Sequence, residues 1–168
     1  MSESETREAF ARARTLAGMG RDEEAEAAVA AILDADPRHL GALLLKAWLA
    51  AEDRDFEGSL AITREAAALW PRSAEAHNAL ARCLHAMGRD EEALAAAEQA
   101  RALLDEGDNA VHASGVYLTL VWCLRELRRF KEAMAAAEEG LSRAPDAVLA
   151  QWATQVQDEW LAAEKERC

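Results

Sequence analysis

The hexapeptide Gly-Arg-Asp-Glu-Glu-Ala occurs twice in this 168-residue chain, at Gly20 to Ala25 and at Gly88 to Ala93, with the copies 68 residues apart. Half that distance lands on Arg54-Asp55-Phe56-Glu57-Gly58-Ser59, a related turn sequence. Pro37 and Pro71 stand 34 apart, and Pro145 follows 74 later, which is two periods and six residues. A 34-residue repeat with one six-residue insertion meets every landmark. A period of that length means stacked copies of one small unit, none of which can bury its apolar face alone.

Composition decides what the unit is. The chain holds 41 Ala and 21 Leu but only 8 Val plus Ile, and just 3 Pro and 8 Gly. Ala and Leu are strong helix formers and β-branched residues favour strands, so the expected fold is all-α. The period divides the chain into units 6–39, 40–73, 74–107 and 114–147, with 108–113 inserted and 148–165 left as a closing helix. In each unit about fourteen helix-favouring residues precede the turn and a similar stretch follows it, giving a hairpin of helix A and helix B. Residues 1–5 are expected to form a disordered tail, and 6–168 a single domain. Gly107 is a plausible helix stop, and Asp108 or Asn109 could cap the next helix. Helix A of the fourth unit would then begin one turn early, with His112 and Val116 extending its exposed wall, unless the insertion is a spacer loop.

Small residues recur where two helices of a hairpin would meet. The eighth places are Ala13, Ala47, Ala81 and Val121, and the twentieth are Ala25, Ser59, Ala93 and Ala133. The twenty-seventh are Ile32, Ala66, Ala100 and Gly140, and the thirty-second are Pro37, Pro71, Asp105 and Pro145. In these positions the chain resembles the tetratricopeptide repeat family. The resemblance implies a right-handed α-solenoid of four helical hairpins closed by a C-terminal capping helix, in which the A helices line an inner groove. Ala9 and Arg12 in the first unit and Lys46 in the second depart from the family's large apolar residues, and a first unit, with no neighbour before it, should have a polar outer face. The closing segment carries Leu149, Trp152, Val156 and Trp160 on one side and Gln151, Gln155, Asp158 and Glu166 on the other, the pattern of a cap.

The second, fifth, ninth and twelfth places of helix A share one face. They read Arg7, Phe10, Arg14 and Ala17 in the first unit, then Gly41, Leu44, Trp48 and Ala51. The third unit gives Glu75, Asn78, Arg82 and His85, and the fourth Gly115, Leu118, Trp122 and Arg125. Units two and four share Gly, Leu and Trp, whereas one and three share the repeated hexapeptide and an Arg at the ninth place, which suggests a duplicated pair. The candidate peptide-binding groove is therefore Phe10, Arg14, Leu44, Trp48, Asn78, Arg82, Leu118, Trp122, Arg125 and Trp152. Trp and Arg are the residues that dominate binding hot spots. The alternative is that the tryptophans pack into the core between helices. A segment with bulky apolar side chains and an acidic or carboxyl group would suit such a groove. The carboxylate clamp that some family members use on chaperone tails is absent, because Phe10, Arg14, Leu45, Glu75 and Ala79 stand at its places.

Charge and chemistry narrow the function classes. The net charge is -12, with no basic run of the kind that binds phosphate backbones, so no nucleic acid is expected. Apolar runs are too short for a bilayer, and the acidic start Met1-Ser2-Glu3-Ser4-Glu5 is unlike a signal peptide, so no membrane is expected and the expected location is cytoplasmic. His77 and His85 are eight apart, too far for ligands on one helix, and Cys83 and Cys123 read as small packing residues, so no metal and no cofactor is expected. Asp22-Glu23-Glu24 and Asp90-Glu91-Glu92 open B helices, where carboxylates complement the helix dipole. No catalytic constellation emerges. The expected function is a non-enzymatic interaction module or scaffold that binds a protein or peptide partner. The alternatives are a secretion or assembly chaperone and a homo-oligomeric assembly subunit.

Overall fold

The structure, a computed structural model, describes residues 2–106 and 110–166, apart from the side chains at 105, 106, 110–112 and 166. The described residues contain helices and turns and no strand. They fall into two compact units, 1–71 and 72–168, where the sequence reading expects one domain. The first holds α1 (Glu3–Gly18), α2 (Asp22–Ala35), α3 (Leu40–Glu52) and α4 (Phe56–Leu69). The second holds α5 (Ala74–Ala86), α6 (Asp90–Glu106), α7 (Ala110–Glu126), α8 (Phe130–Arg143) and α9 (Ala147–Glu166). Consecutive helices pack as four hairpins, α1 with α2, α3 with α4, α5 with α6 and α7 with α8, and α9 packs on α8 and α7.

The turn inside each hairpin has one backbone solution. Gly20, Arg54, Gly88 and Arg128 all have positive φ, between 57° and 70°, and all four occupy the fifteenth place of their unit. The left-handed residue reverses the chain after helix A, and glycine adopts it without steric cost. The next residue then starts helix B. In units one, three and four it is an Arg that grips a Glu three residues on through two nitrogens: Arg21 to Glu24, Arg89 to Glu92 and Arg129 to Glu132. In unit two, Asp55 accepts instead from the Gly58 N–H, a side-chain cap.

Helix B ends for a different reason. Asp36, Trp70 and Ala144 precede prolines and are driven to extended or intermediate backbone angles, because a following proline excludes the helical region. His39, Ser73 and Asp146 then cap the next helices by accepting from the backbone N–H groups of Ala42, Ala76 and Leu149.

All twelve residues at the eighth, twentieth and twenty-seventh places are buried, from Ala13 and Ala25 in the first unit to Val121, Ala133 and Gly140 in the fourth. Around these close contacts lie Val29, Ile32, Leu49 and Leu60 in residues 1–71, and Tyr117, Leu120, Leu149 and Val156 in residues 72–168. Each such large side chain contributes about 1.5–3 kcal/mol by leaving water.

Two expectations change. Residues 3–5 are helical rather than part of a disordered tail, because Ser2 and Glu5 form a reciprocal capping box that starts α1 at Glu3. Helix α7 begins at Ala110, one turn before the fourth unit, yet Val116 is fully buried and belongs to the core instead of an exposed wall. His112 lies outside the described side chains, and Gly107, Asp108 and Asn109 lie outside the described residues. On α9, Leu149 and Val156 are buried, Trp152 and Trp160 are half-buried, and Gln151, Gln155 and Asp158 are exposed, as a capping helix requires.

Candidate functional site

In residues 72–168 the A helices α5 and α7 lie side by side. A Cβ placed on Gly115 would stand 3.5 Å from Asn78 Nδ2, and two turns further along His85 stacks on Trp122 with centroids 6.0 Å apart and planes at 18°. Both pairs are separated by 37 residues, so the two helices run in the same direction in constant register. The fifth place of one unit thus faces the second place of the next. The same relation holds in residues 1–71, where a Cβ on Gly41 would come within 2.5 Å of Phe10 Cζ. The glycines shared by units two and four are therefore the seats for the fifth-place side chains before them.

Helix α9 completes the aromatic cluster. Trp152 meets Trp122 edge-on at 5.9 Å and 75°, and the Arg125 guanidinium lies 5.5 Å from the Trp152 centroid. Such edge-to-face pairs contribute roughly 0.5–1.5 kcal/mol beyond burial. Arg125 also donates from Nε and Nη2 to Glu159 at 2.8 Å, and from Nη1 to Glu126. The hydrogen bonds to Glu159 raise the guanidinium pKa further and hold the Glu159 carboxyl below its ordinary value. Arg125 is thus already paired with carboxylates within the protein. Arg82, one turn before His85, and Arg14 are exposed.

Trp48, Trp122 and Trp152 are all half-buried. Trp48 and Phe10 pack against the buried cluster that includes Leu16, Ile32 and Leu49. Phe10 also tilts over His39 at 5.1 Å and carries Arg14 6.0 Å from its centroid. Leu44 and Leu118 are half-buried one turn before Trp48 and Trp122. The expected groove residues therefore form two clusters, each within its own compact unit. Two polar atoms of the second cluster, Asn78 Oδ1 and Trp122 Nε1, are buried with no hydrogen-bond partner. Buried polar groups are nearly always paired, so an unpaired acceptor and an unpaired donor on a would-be binding face call for a reason.

Sequence reasoning passed over one constellation. His85 Nδ1 is 2.6 Å from Asp90 Oδ1, and the ligand-capable atoms of His85, Asp90 and Cys123 all lie within 4.8 Å of one another. The carboxylate therefore does more than complement a helix dipole. Cys123 is wholly buried, and burial, reinforced by the Asp90 charge, pushes its thiol up to about 12. That excludes a free thiolate nucleophile at neutral pH. The signal lay in the repeat frame, since twelfth and seventeenth places of one unit and the tenth of the next converge in space.

The tetratricopeptide repeat model matches residues 74–100 and 114–147. No curated protein sequence matches significantly. Among solved structures, the chain is similar to Pseudomonas aeruginosa PilF, with a TM-score of 0.79 at 19% identity over 97% of this chain and 71% of that one. PilW, described as a widely conserved type IV pilus biogenesis factor, gives 0.77 at 18% identity over 98% and 80%. TTC0263, a tetratricopeptide protein of Thermus thermophilus, gives 0.76 at 22% identity over 89% and 79%. The described residues have the all-α fold of these repeat proteins. Among the described residues no helix is long and apolar enough to cross a membrane.

Proposed function

We propose that this chain, whose residues 74–100 and 114–147 are tetratricopeptide repeats, is a non-enzymatic interaction module that binds a peptide segment of a protein partner on its A-helix faces. The observation that carries this reading is the cluster of His85, Trp122 and Trp152, half-buried rings held in fixed mutual geometry beside the exposed Arg82. Half-buried aromatic rings already held in place offer their exposed area to a ligand without a further ordering cost. Arg82 favours an acidic or carboxyl group next to the apolar side chain that covers the rings. Cys123 is buried, and Glu24, Asp90 and Glu92 at the helix starts have arginine or histidine partners. The expected location of such a module is the cytoplasm.

Selection from a displayed library of random peptides tests the proposal. Wild type should enrich peptides with a large apolar residue near an acidic one, and Trp122→Ala should weaken their binding at least tenfold while its thermal melt stays cooperative. Selected peptides that bind Trp122→Ala equally well, or no enrichment by wild type, would overturn the reading. In the second case, a melting temperature that rises with protein concentration would favour the homo-oligomeric alternative.

A further inference from the structure

His85, Asp90 and Cys123 come from three successive helices: the last turn of α5, the first residue of α6, and α7 one residue after Trp122. They are the twelfth and seventeenth places of the third unit and the tenth of the fourth. The duplicated first pair of units supplies an internal comparison. Its residues at the same places are Ala17, Asp22 and Leu49, and both Ala17 and Leu49 are buried in an apolar cluster. The hairpin architecture therefore does not require an imidazole or a thiol at these positions. The second pair has both, and places them against a carboxylate.

We propose that His85, Asp90 and Cys123 form a binding site for a divalent transition-metal ion of the zinc type, through imidazole nitrogen, carboxylate oxygen and thiolate sulfur. The mixed donor set selects the ion class. Calcium and magnesium take oxygen ligands, whereas zinc accepts nitrogen, sulfur and oxygen together. Bonds of about 2.0–2.3 Å at tetrahedral angles put ligand atoms roughly 3.3–3.8 Å apart. The observed atoms bracket that spacing, from 2.6 Å between His85 and Asp90 to a limit of 4.8 Å across the three. An ion therefore needs a widening of one pair and a contraction of another, each within reach of side-chain rotation.

The surroundings suit the role. Trp122 stacks on the His85 ring from α7, with centroids 6.0 Å apart. Cys123 lies wholly buried at the base, while the His85 and Asp90 side chains are 26% and 17% exposed and mark the route of entry. Three protein ligands leave a fourth tetrahedral position on that exposed side for water or a group of a bound partner. On binding, the ion takes the place of the proton between His85 Nδ1 and Asp90 Oδ1, which passes through solvent to Nε2 and leaves the imidazole neutral, and the Cys123 S–H releases its proton to solvent.

Titration of the reduced full chain with Co²⁺ tests the site, because cobalt bound to a thiolate gives a charge-transfer band in the near ultraviolet. Wild type should develop that band to one equivalent, lose it on adding Zn²⁺, and show a raised melting temperature. Cys123→Ser should abolish the band and weaken Zn²⁺ binding about 100-fold, whereas Cys168→Ser should change neither. The variant His85→Ala with Cys123→Leu, which copies the residues of the first pair of units, should remain folded by its melt and bind no ion. Failure of wild type to bind either metal, or a band that survives in Cys123→Ser, would overturn the proposal.

Discussion

Gly140 on α8 presents its bare Cα to Tyr117 on α7: a Cβ there would stand 2.6 Å from the tyrosine Cβ and 2.7 Å from Leu149 Cδ2 on α9. Three helices converge at this point, and two of the obstructing atoms belong to the stem and ring of a fully buried side chain. Alanine is ordinarily preferred over glycine inside a helix by about 0.5–1 kcal/mol. Here overpacking, at roughly 1–3 kcal/mol, opposes that preference and exceeds it. Gly140→Ala should therefore lower stability by about 1–2 kcal/mol, and Gly140→Leu by more. Urea unfolding measures this, and an unchanged or raised midpoint for Gly140→Ala would contradict the packing described.

The four left-handed turn residues make an internal series. Gly20 and Gly88 meet the backbone demand without strain, whereas Arg54 at φ 63° and Arg128 at φ 57° carry a side chain in the same conformation. That conformation costs a non-glycine residue about 1–2 kcal/mol. Arg54→Gly should stabilise the chain by about 0.5–1 kcal/mol, after the greater entropy of glycine in the unfolded state is counted. Arg128→Gly should gain less, because the Arg128 guanidinium lies 5.5 Å from the Phe130 ring, a contact of about 0.5–1 kcal/mol. Thermal melts of the two variants and of Gly88→Ala should rank Arg54→Gly above Arg128→Gly, with Gly88→Ala below wild type.

These turns also show what a sequence discloses. The hexapeptide marked two of the four turns through Gly20 and Gly88, and the 34-residue spacing located the other two although arginine hides the conformation there. Places eight, twenty and twenty-seven were legible as close contacts, since size alone decides what fits between two helices. The capping box of Ser2 and Glu5 was equally local, and its Ser-x-x-Glu spacing outweighs a terminal position that suggests fraying. The His85, Asp90 and Cys123 cluster was not local. It depends on α7 lying alongside α5 at one register, which no pairwise spacing within a helix reports. Arg125 was readable as a groove cation, but its engagement by Glu159, 34 residues away on another helix, was not.

The Arg125 and Glu159 pair makes stability depend on pH with a definite sign. Hydrogen bonds from Arg125 lower the Glu159 pKa in the folded state. A depressed carboxylate contributes stability above its unfolded pKa of about 4.3 and loses it as pH falls through the lower folded value. Both side chains are partly exposed, so the pair should contribute about 0.5–1 kcal/mol. Glu159→Gln should be less stable than wild type by that amount near neutrality, and the gap should close as pH falls below the unfolded pKa and Glu159 itself is protonated. Paired melts across that range provide the measurement, and a gap that persists at the acid end would show that Glu159 acts by packing instead.

Asn78 separates stability from binding. Its Oδ1 is buried without a hydrogen-bond partner, while the corresponding fifth place of the first unit is Phe10, an apolar side chain seated on Gly41. An unsatisfied buried acceptor costs about 1–3 kcal/mol relative to an apolar group of similar shape. Asn78→Leu, nearly isosteric, should therefore leave the fold intact and raise its stability by about 1 kcal/mol. If the amide is kept for a ligand's backbone N–H, the same variant should bind groove-selected peptides about five- to tenfold more weakly, the loss of one hydrogen bond of roughly 1–1.4 kcal/mol. Urea unfolding and peptide titration on the same preparation read the two effects together. Greater stability with undiminished affinity would remove Asn78 from the binding face, and lower stability would mean that its oxygen finds a partner in the free protein.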